Sequence, residues 1–339
     1  MRAEFTDDQR SFAEAVSAAL RGHAGPDVLR AASNGTFDPA TASALVQTGL
    51  FGVALPEHVG GAGGDVRDIA LVMQALGWFN APLPVADGAF VGAHVLTRYA
   101  EEPRVASLLP ALADGSATLV VQAEPDRYVA HAQVATHLLT LRDTELHLVP
   151  AQPGWATPVA AQDTTARLAQ VHATLSPETL VVDSVEARDQ LQAAAWTADA
   201  LIGVGLADRM LELTVEYAQQ RTQFGRPIGS FQAPKHHLAD LLAEVEAARG
   251  LAWRATYAVA QEPDPVVPAR IALGATAEAV ARASRTSLQL HGGIGFTRDH
   301  DLHLWILTAQ RWLALVGDPR THRQAVAARL LRPQQRTTA

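Results

Sequence analysis

Over most of this chain, apolar residues recur every three or four positions, which is the period of a helix with one buried face. This spacing predicts an N-terminal helical domain over residues 1–114. Two of its apolar faces consist of Phe12, Val16 and Leu20, and of Ile69, Val72, Met73 and Leu76.

The period shortens between residues 115 and 184. Short runs of Leu, Val and Thr are typical of strands, and they occur at residues 118–122, 137–141, 146–149 and 179–182. Asp143 and Thr144 separate two of these runs and predict a tight hairpin. A small β domain is therefore expected over residues 115–184.

Long helical patterns return at about residue 185 and continue through residues 185–339. Residues 221–230 interrupt them and must form a turn between two helices, and the Pro-rich stretch 261–268 predicts another such turn. The fold class is mainly α with a small β domain. The helical faces on either side of residue 221 consist of Leu201, Val204, Leu211, Val215 and Ala218, and of Leu238, Leu241, Leu242, Val245 and Ala248.

Two motifs in this last region carry candidate chemistry. The first, Arg-Thr-Gln-Phe-Gly, begins at Arg221 between the two helices, and its guanidinium can bind a pyrophosphate through two hydrogen bonds. The second, Gln-Leu-His-Gly-Gly-Ile-Gly, begins at Gln289, and its glycines let the backbone approach a ligand closely. In an alternative interpretation the two motifs are purely structural: Phe224 is buried as a staple, and the glycines end a helix. The order and helical context of the two motifs together favour a nucleotide cofactor.

Composition excludes several other classes of protein. The net charge of −8 argues against a nucleic-acid partner, because binding phosphates requires clustered Lys and Arg. The absence of Cys excludes disulfides and thiolate metal sites. No segment reaches the ~18 apolar residues of a membrane span, and the charged N-terminus is unlike a signal peptide, so a soluble cytoplasmic protein is expected.

With these motifs, the chain resembles the acyl-CoA dehydrogenase family over nearly its whole length. Residues 5–10 resemble the opening helix of the family, and residues 52–61 resemble its Pro-Glu-x-x-Gly-Gly loop. The resemblance implies an N-terminal helical domain, a middle β domain and a C-terminal four-helix bundle. It also implies FAD, an acyl-CoA substrate, electron-transfer flavoprotein as the acceptor, and a dimer or tetramer in which these motifs reach the flavin of a neighbouring subunit. The FAD contacts carried over are Arg221, Gln223, Phe224, Gln232, Gln289, Gly292 and Gly293.

The family abstracts an α-proton with a carboxylate, and that carboxylate is missing here. Val316 and Ala195 occupy the two positions at which members of the family carry the Glu. Asp318 is a further candidate, although an Asp before Pro319 more often caps a helix. Glu186 and Asp189 lie upstream of Ala195 and are interpreted as surface charges near a helix start.

Histidines do not replace the missing base. His291 lies inside the glycine motif, where packing or hydrogen bonding is the expected role, and His236 and His237 are expected on a solvated face. His300 and His303 are spaced like a metal pair but lack a third ligand, so no metal site is expected.

The β domain also departs from the pattern that the family uses to hold the flavin ring. Of a Thr-Glu-Pro-Gly-x-Gly-Ser-Asp-like segment, residues 122–128 retain only Glu124 and Pro125, and the strand at residues 137–141 has no Trp. This asymmetry resembles the short, base-less subunit of heteromeric bacterial acyl-CoA dehydrogenases of the sterol side-chain type. Three hypotheses follow: a heteromeric subunit whose partner supplies the Glu, a self-sufficient homomer with an unusual base, or a flavin-free scaffold subunit.

Overall fold

The N-terminal third of the chain is helical, as predicted. The structure is a computed structural model that describes residues 5–33 and 39–331. The first helix begins at a capping box, in which Gln9 N donates to Thr6 Oγ1 (3.2 Å) and Thr6 N donates to Gln9 Oε1 (3.0 Å). The helices of this region are α1 (Asp7–His23), α2 (Pro26–Ser33), α3 (Pro39–Gln47), α4 (Ala70–Phe79), a π-helical turn (Asp87–Gly92), α5 (Ala93–Leu96) and α6 (Pro103–Ala113).

A small β domain follows, and its main sheet has the order β1-β2-β3-β6. Strands β1 and β2 are parallel, whereas β2 and β3 form the predicted hairpin across Asp143 and Thr144. Asp143 has a φ of 57°, which Asp tolerates in tight turns. The strands are β1 (Leu119–Gln122), β2 (His137–Arg142), β3 (Glu145–Pro150), β4 (Ala156–Pro158), β5 (Ala169–Val171) and β6 (Leu180–Asp183).

The rest of the described chain is a helical bundle. Helices α7 to α10 pack together as a four-helix bundle, and α11 packs on α9. Ser184 caps the start of α7, accepting hydrogen bonds from Glu186 N and Ala187 N. One member of the predicted apolar face, Leu242, is 48% exposed. The bounds are α7 (Val185–Gln220), α8 (Gln232–Gln261), α9 (Val266–His291), α10 (Leu302–Val316) and α11 (Pro319–Leu330).

The N-terminal helices and the bundle meet where α4 crosses α7 at two glycines. A Cβ built on Gly205 would lie 1.9 Å from Gln74 O, and one built on Gly77 would lie 1.9 Å from Ile202 O. The two helix backbones are therefore in direct contact at this crossing.

Replacing Gly205 by alanine is expected to destabilise the fold strongly. The new methyl group would meet backbone atoms, so the helices would have to separate at a cost of at least about 1–3 kcal/mol. Gly250→Ala in α8, where nothing lies within 4 Å, is the matched control and should stabilise by about 0.5–1 kcal/mol. Melting temperatures of the two variants test this; a Gly205→Ala protein as stable as the wild type would contradict the backbone contact.

Within residues 5–33 and 39–331, no helix combines the length and the apolarity that crossing a membrane requires.

Candidate functional site

The first motif forms a short hairpin at the end of α7. Arg221 ends the helix, with its N–H bonded to Tyr217 O (2.8 Å). Strands β7 (Thr222–Gln223) and β8 (Arg226–Pro227) then pair across Phe224 and Gly225, whose φ angles are 53° and 78°. A positive φ is uncommon for a phenylalanine.

The second motif ends α9 and lies beside the first. Gly292 ends this helix with a φ of 63°, and the segment Gly292–Phe296 continues as a 3-10 turn. The ring of His291 stacks on that of Tyr217, with centroids 4.3 Å apart. The two motifs, 68 positions apart in the sequence from Arg221 to Gln289, therefore share one edge of the bundle.

This edge is open to solvent in the chain. Phe224 is 92% exposed, so the alternative in which it is buried as a staple is wrong, and Phe296 is 76% exposed. The Arg221 guanidinium has no hydrogen bond or ion pair with any part of the chain that the structure describes. An uncompensated cation beside exposed glycines and aromatic rings can receive a phosphate and a flat base. The carried-over residues that are exposed here are Arg221, Gln223, Phe224, Gln232, Gln289, Gly292 and Gly293.

A separate cavity of ≈ 200 Å³ lies where α4, the π-helical turn, β1, α7 and α10 meet. Two carboxyl groups line it, Asp87 from the π-helical turn and Asp199 from α7. Ala195 lines it as well, one helical turn before Asp199 and on the same face of α7. Asp199 does not occupy either position at which the family carries its Glu, so the family pattern does not point to it. The i,i+4 spacing from Ala195 is the sequence signal that could have revealed it.

Burial perturbs both carboxyl groups. Desolvation raises the pKa of Asp87 to about 7, against the opposing bond from Val121 N (3.0 Å). Desolvation likewise raises the pKa of Asp199 to about 6, and nearby Arg127 partly offsets the shift. Asp199 has no hydrogen bond or ion pair with the described residues. A carboxyl group with a pKa near neutrality in a cavity can exchange a proton at physiological pH.

The cationic side chains of the cavity already have partners. Arg311 Nε donates to Asp163 Oδ2 (2.7 Å), and Arg127 pairs with Glu124 (3.1 Å). His131 is neutral, because burial lowers its pKa to about 3, and its Nδ1 is buried without a partner in the described structure. The cavity thus retains unsatisfied polar groups beside its apolar walls.

The positions considered for the missing base do not supply one. Val316 is buried at 2% exposure, and Leu315 of the same turn, which lines the cavity, is also hydrocarbon. Asp318 caps α11 and accepts from Arg320 N (2.8 Å), as its position before Pro319 predicts. It lies outside the cavity.

The histidines considered in the sequence differ in burial and in hydrogen bonding. His291 is buried, with Nδ1 2.8 Å from Ser287 O, and His303 Nδ1 lies 2.8 Å from His300 O. Among the described residues, no group of His, Asp and Glu side chains is arranged to hold a metal ion. His236 and His237 are exposed.

The segment after β1 is anchored through Glu124. Trp196 Nε1 donates to Glu124 Oε1 (3.0 Å), and the Arg270 guanidinium lies 3.9 Å over the Trp196 ring. Ala123, next to Glu124, faces the cavity with a methyl group and offers no side-chain hydrogen bond.

Asp87→Asn is expected to increase stability near neutral pH. In the wild type the unfolded Asp87 ionises near pH 3.8 whereas the folded group holds its proton to about pH 7. The wild type should therefore lose stability relative to the variant as pH rises from about 4 to 7. The amide oxygen can still accept from Val121 N. Urea unfolding of both proteins at pH 4 and pH 7 measures this, and a stability difference independent of pH would contradict it.

Known proteins match the chain in both of its helical regions. Residues 6–116 match the family model "Acyl-CoA dehydrogenase, N-terminal domain", and residues 195–331 match "Acyl-CoA dehydrogenase, C-terminal domain". The acyl-CoA dehydrogenase IpdE2 of Mycobacterium tuberculosis is 36% identical over 321 residues, which cover 93% of this chain and 94% of IpdE2. FadE34 of the same organism is 31% identical, over 91% of this chain and 46% of its own length.

Solved structures share the fold across the whole chain. A variant of the Tcur3481–Tcur3483 steroid acyl-CoA dehydrogenase is 26% identical with a TM-score of 0.84, covering 96% of this chain and 98% of that one. The ChsE4–ChsE5 complex of Mycobacterium tuberculosis has a TM-score of 0.85 at 24% identity, covering 97% and 99%. At that identity the second likeness concerns the fold alone.

Proposed function

Because this chain belongs to the acyl-CoA dehydrogenase family, we propose that it is one subunit of a heteromeric, FAD-dependent acyl-CoA dehydrogenase. Members of the family are FAD-dependent oxidoreductases that act on CH–CH bonds, so the expected cofactor and reaction class are confirmed at the level of the family. What we propose is that the enzyme is heteromeric and that its two subunits supply different parts of the active site.

One observation carries it: the chain retains an exposed nucleotide-binding edge but has hydrocarbon where the family places its base. The unpaired Arg221 and the open space around Gly292 and Gly293 fit the adenosine diphosphate end of FAD. Ala195 and Val316 cannot remove a proton from a thioester. In this proposal, the exposed edge completes an FAD site on a partner chain that carries the Glu.

The flavin ring, at the opposite end of FAD, fits this chain less well than the adenosine diphosphate end. FAD, when bound, supplies the acceptor for the β-hydride, and its ring requires hydrogen-bond donors around it. Ala123 offers none from its side chain, and Glu124 is engaged with Trp196 and Arg127. We therefore assign the ring, the base and the reacting thioester to the partner.

The substrate in this proposal is a bulky, steroid-derived acyl-CoA. Support comes from the similarity to the Tcur3481–Tcur3483 steroid acyl-CoA dehydrogenase. Electron-transfer flavoprotein is the proposed electron acceptor, and the cytoplasm the proposed location.

A second candidate is a self-sufficient flavoenzyme, and Asp199 is the observation that favours it. Its carboxyl group faces the cavity on the same side of α7 as Ala195, and its pKa of about 6 suits a general base. A flavin-free scaffold is disfavoured, because it would have no use for an uncompensated Arg221 at an exposed edge.

Purification tests these alternatives directly. The chain expressed alone is expected to be nearly colourless, and co-expression with a related chain bearing the Glu should give a yellow dimer or tetramer, because the FAD site is shared. Absorbance at the flavin band and light scattering at micromolar concentration measure both properties. A yellow, stable homomer would favour the self-sufficient enzyme, and a stable monomer in both preparations would exclude a shared site.

A further inference from the structure

Helices α7 and α9 pack against each other through two side-chain pairs, Thr214 with Ser287 and Tyr217 with His291, which we call the seam. The seam runs toward the two motifs. Thr214 Oγ1 and Ser287 Oγ are hydrogen-bonded to each other (2.7 Å), and both side chains are fully buried. One turn further along each helix, the rings of Tyr217 and His291 stack at an interplanar angle of 19°. The next turn of α7 begins the hairpin at Arg221. The seam therefore ends at the segments that form the exposed edge.

The hydrogen bonding of His291 identifies its tautomer. Nδ1 lies 2.8 Å from Ser287 O, and because a carbonyl only accepts, Nδ1 must carry the proton. Nε2 is then a bare acceptor, and it has no partner in the described structure. Burial lowers the pKa of His291, so the ring is neutral at physiological pH.

His300 closes the seam on the solvent side. Its ring meets His291 edge-on, with centroids 4.7 Å apart, and meets Tyr217 edge-on at 5.9 Å. Its Nδ1 accepts from Leu302 N (3.1 Å), which ties the ring to the start of α10. The His291 ring is thus held between the end of α7 and the segment that follows the glycines.

We propose that His291 is a positioning residue that fixes the Arg221 hairpin and the Gly292–Phe296 segment at the separation that FAD binding requires. The proposal rests on the proposed function of this edge. His291 need not touch FAD. Its stack with Tyr217 holds the end of α9 against the end of α7, and these two ends carry the two motifs. Loss of the stack frees one segment to move relative to the other, so a ligand that bridges them binds more weakly.

The test measures FAD binding to the oligomer in which the chain is purified, by quenching of flavin fluorescence. His291→Leu and Tyr217→Leu remove the stack, and each is expected to weaken FAD binding about threefold to tenfold. The double variant should bind no more weakly than either single variant, because both changes remove one contact. His291→Phe keeps a flat ring and should restore most of the affinity.

His322→Leu is the matched control. His322 is also buried, donates from Nε2 to a backbone carbonyl (Val316 O, 2.8 Å) and leaves Nδ1 without a partner in the described structure. Its loss should lower the melting temperature of the FAD-free protein but leave FAD affinity unchanged. All variants are compared at a temperature at which melting curves show them folded.

These measurements distinguish failure of the positioning role of His291 from failure of the proposed function. Wild-type affinity in His291→Leu, additive losses in the double variant, or equal weakening by His322→Leu would overturn the positioning role. If Arg221→Ala weakens FAD binding in any of these cases, the nucleotide-binding edge itself stands. If Arg221→Ala also has no effect, the proposed function fails.

Discussion

Arg221→Ala is expected to weaken FAD binding by about tenfold or more, since a charge-assisted contact contributes ~1.5–3 kcal/mol. The guanidinium has no partner in the described chain, so its removal leaves no other group unsatisfied and the fold should be unaffected. Arg221→Lys should restore only part of the affinity, because an ammonium group cannot bind two phosphate oxygens in a planar fork. Flavin content and the dissociation constant of FAD measure the effect in the oligomer.

Arg21→Ala is the control for a nonspecific change of charge. Arg21 is exposed on α1 and, like Arg221, has no side-chain partner among the residues that the structure describes. It should leave FAD affinity within experimental error. Unchanged affinity in both Arg221 variants would remove this edge as the cofactor site.

The largest expected effect concerns the base. If the partner supplies it, changing the partner's Glu to Gln should reduce turnover by about 10²–10⁴-fold or more, and the isolated chain supplied with FAD should show no acyl-CoA dehydrogenation. Asp199→Asn and Asp318→Asn in this chain should leave the turnover of the complex nearly intact. Reduction of an artificial electron acceptor by the acyl-CoA measures all of these rates.

Asp199→Asn and Asp318→Asn also test the alternative that this chain is a self-sufficient enzyme. Turnover by the isolated chain that is lost in Asp199→Asn but kept in Asp318→Asn would make Asp199 the base and this chain a self-sufficient enzyme. The comparison is informative because Asp199 faces the cavity, whereas Asp318 lies outside it and only caps α11.

Local patterns in the sequence predict most of the elements. Short runs of Leu, Val and Thr predict the four strands of the main sheet, and the Asp143–Thr144 turn predicts the hairpin between two of them. Strands β4 and β5 were not predicted, since each has only three residues and the first is largely exposed. Such short pairs are stabilised by their neighbours rather than by a periodic pattern of their own.

Contacts between distant segments were harder to predict. Asp87 follows α4 in a π-helical turn, and nothing local indicates that it shares a cavity with Asp199, 112 positions later. The exposure of Phe224 was equally hard to predict, because a large apolar ring is usually buried.

The glycine crossing of α4 and α7 limits how this cavity can change size. Leu76 and Gly77 from α4 and Ile202 from α7 line the cavity beside the crossing, where the two backbones already touch. That wall cannot recede without breaking the contact between the helices. A ligand of different width must therefore be accommodated by changes on the other walls. These are α10, through Trp312 and Leu315, and the segment between β1 and His131. If this chain is the self-sufficient enzyme of the second candidate function, with its substrate in this cavity, selection for a new substrate should change those side chains first.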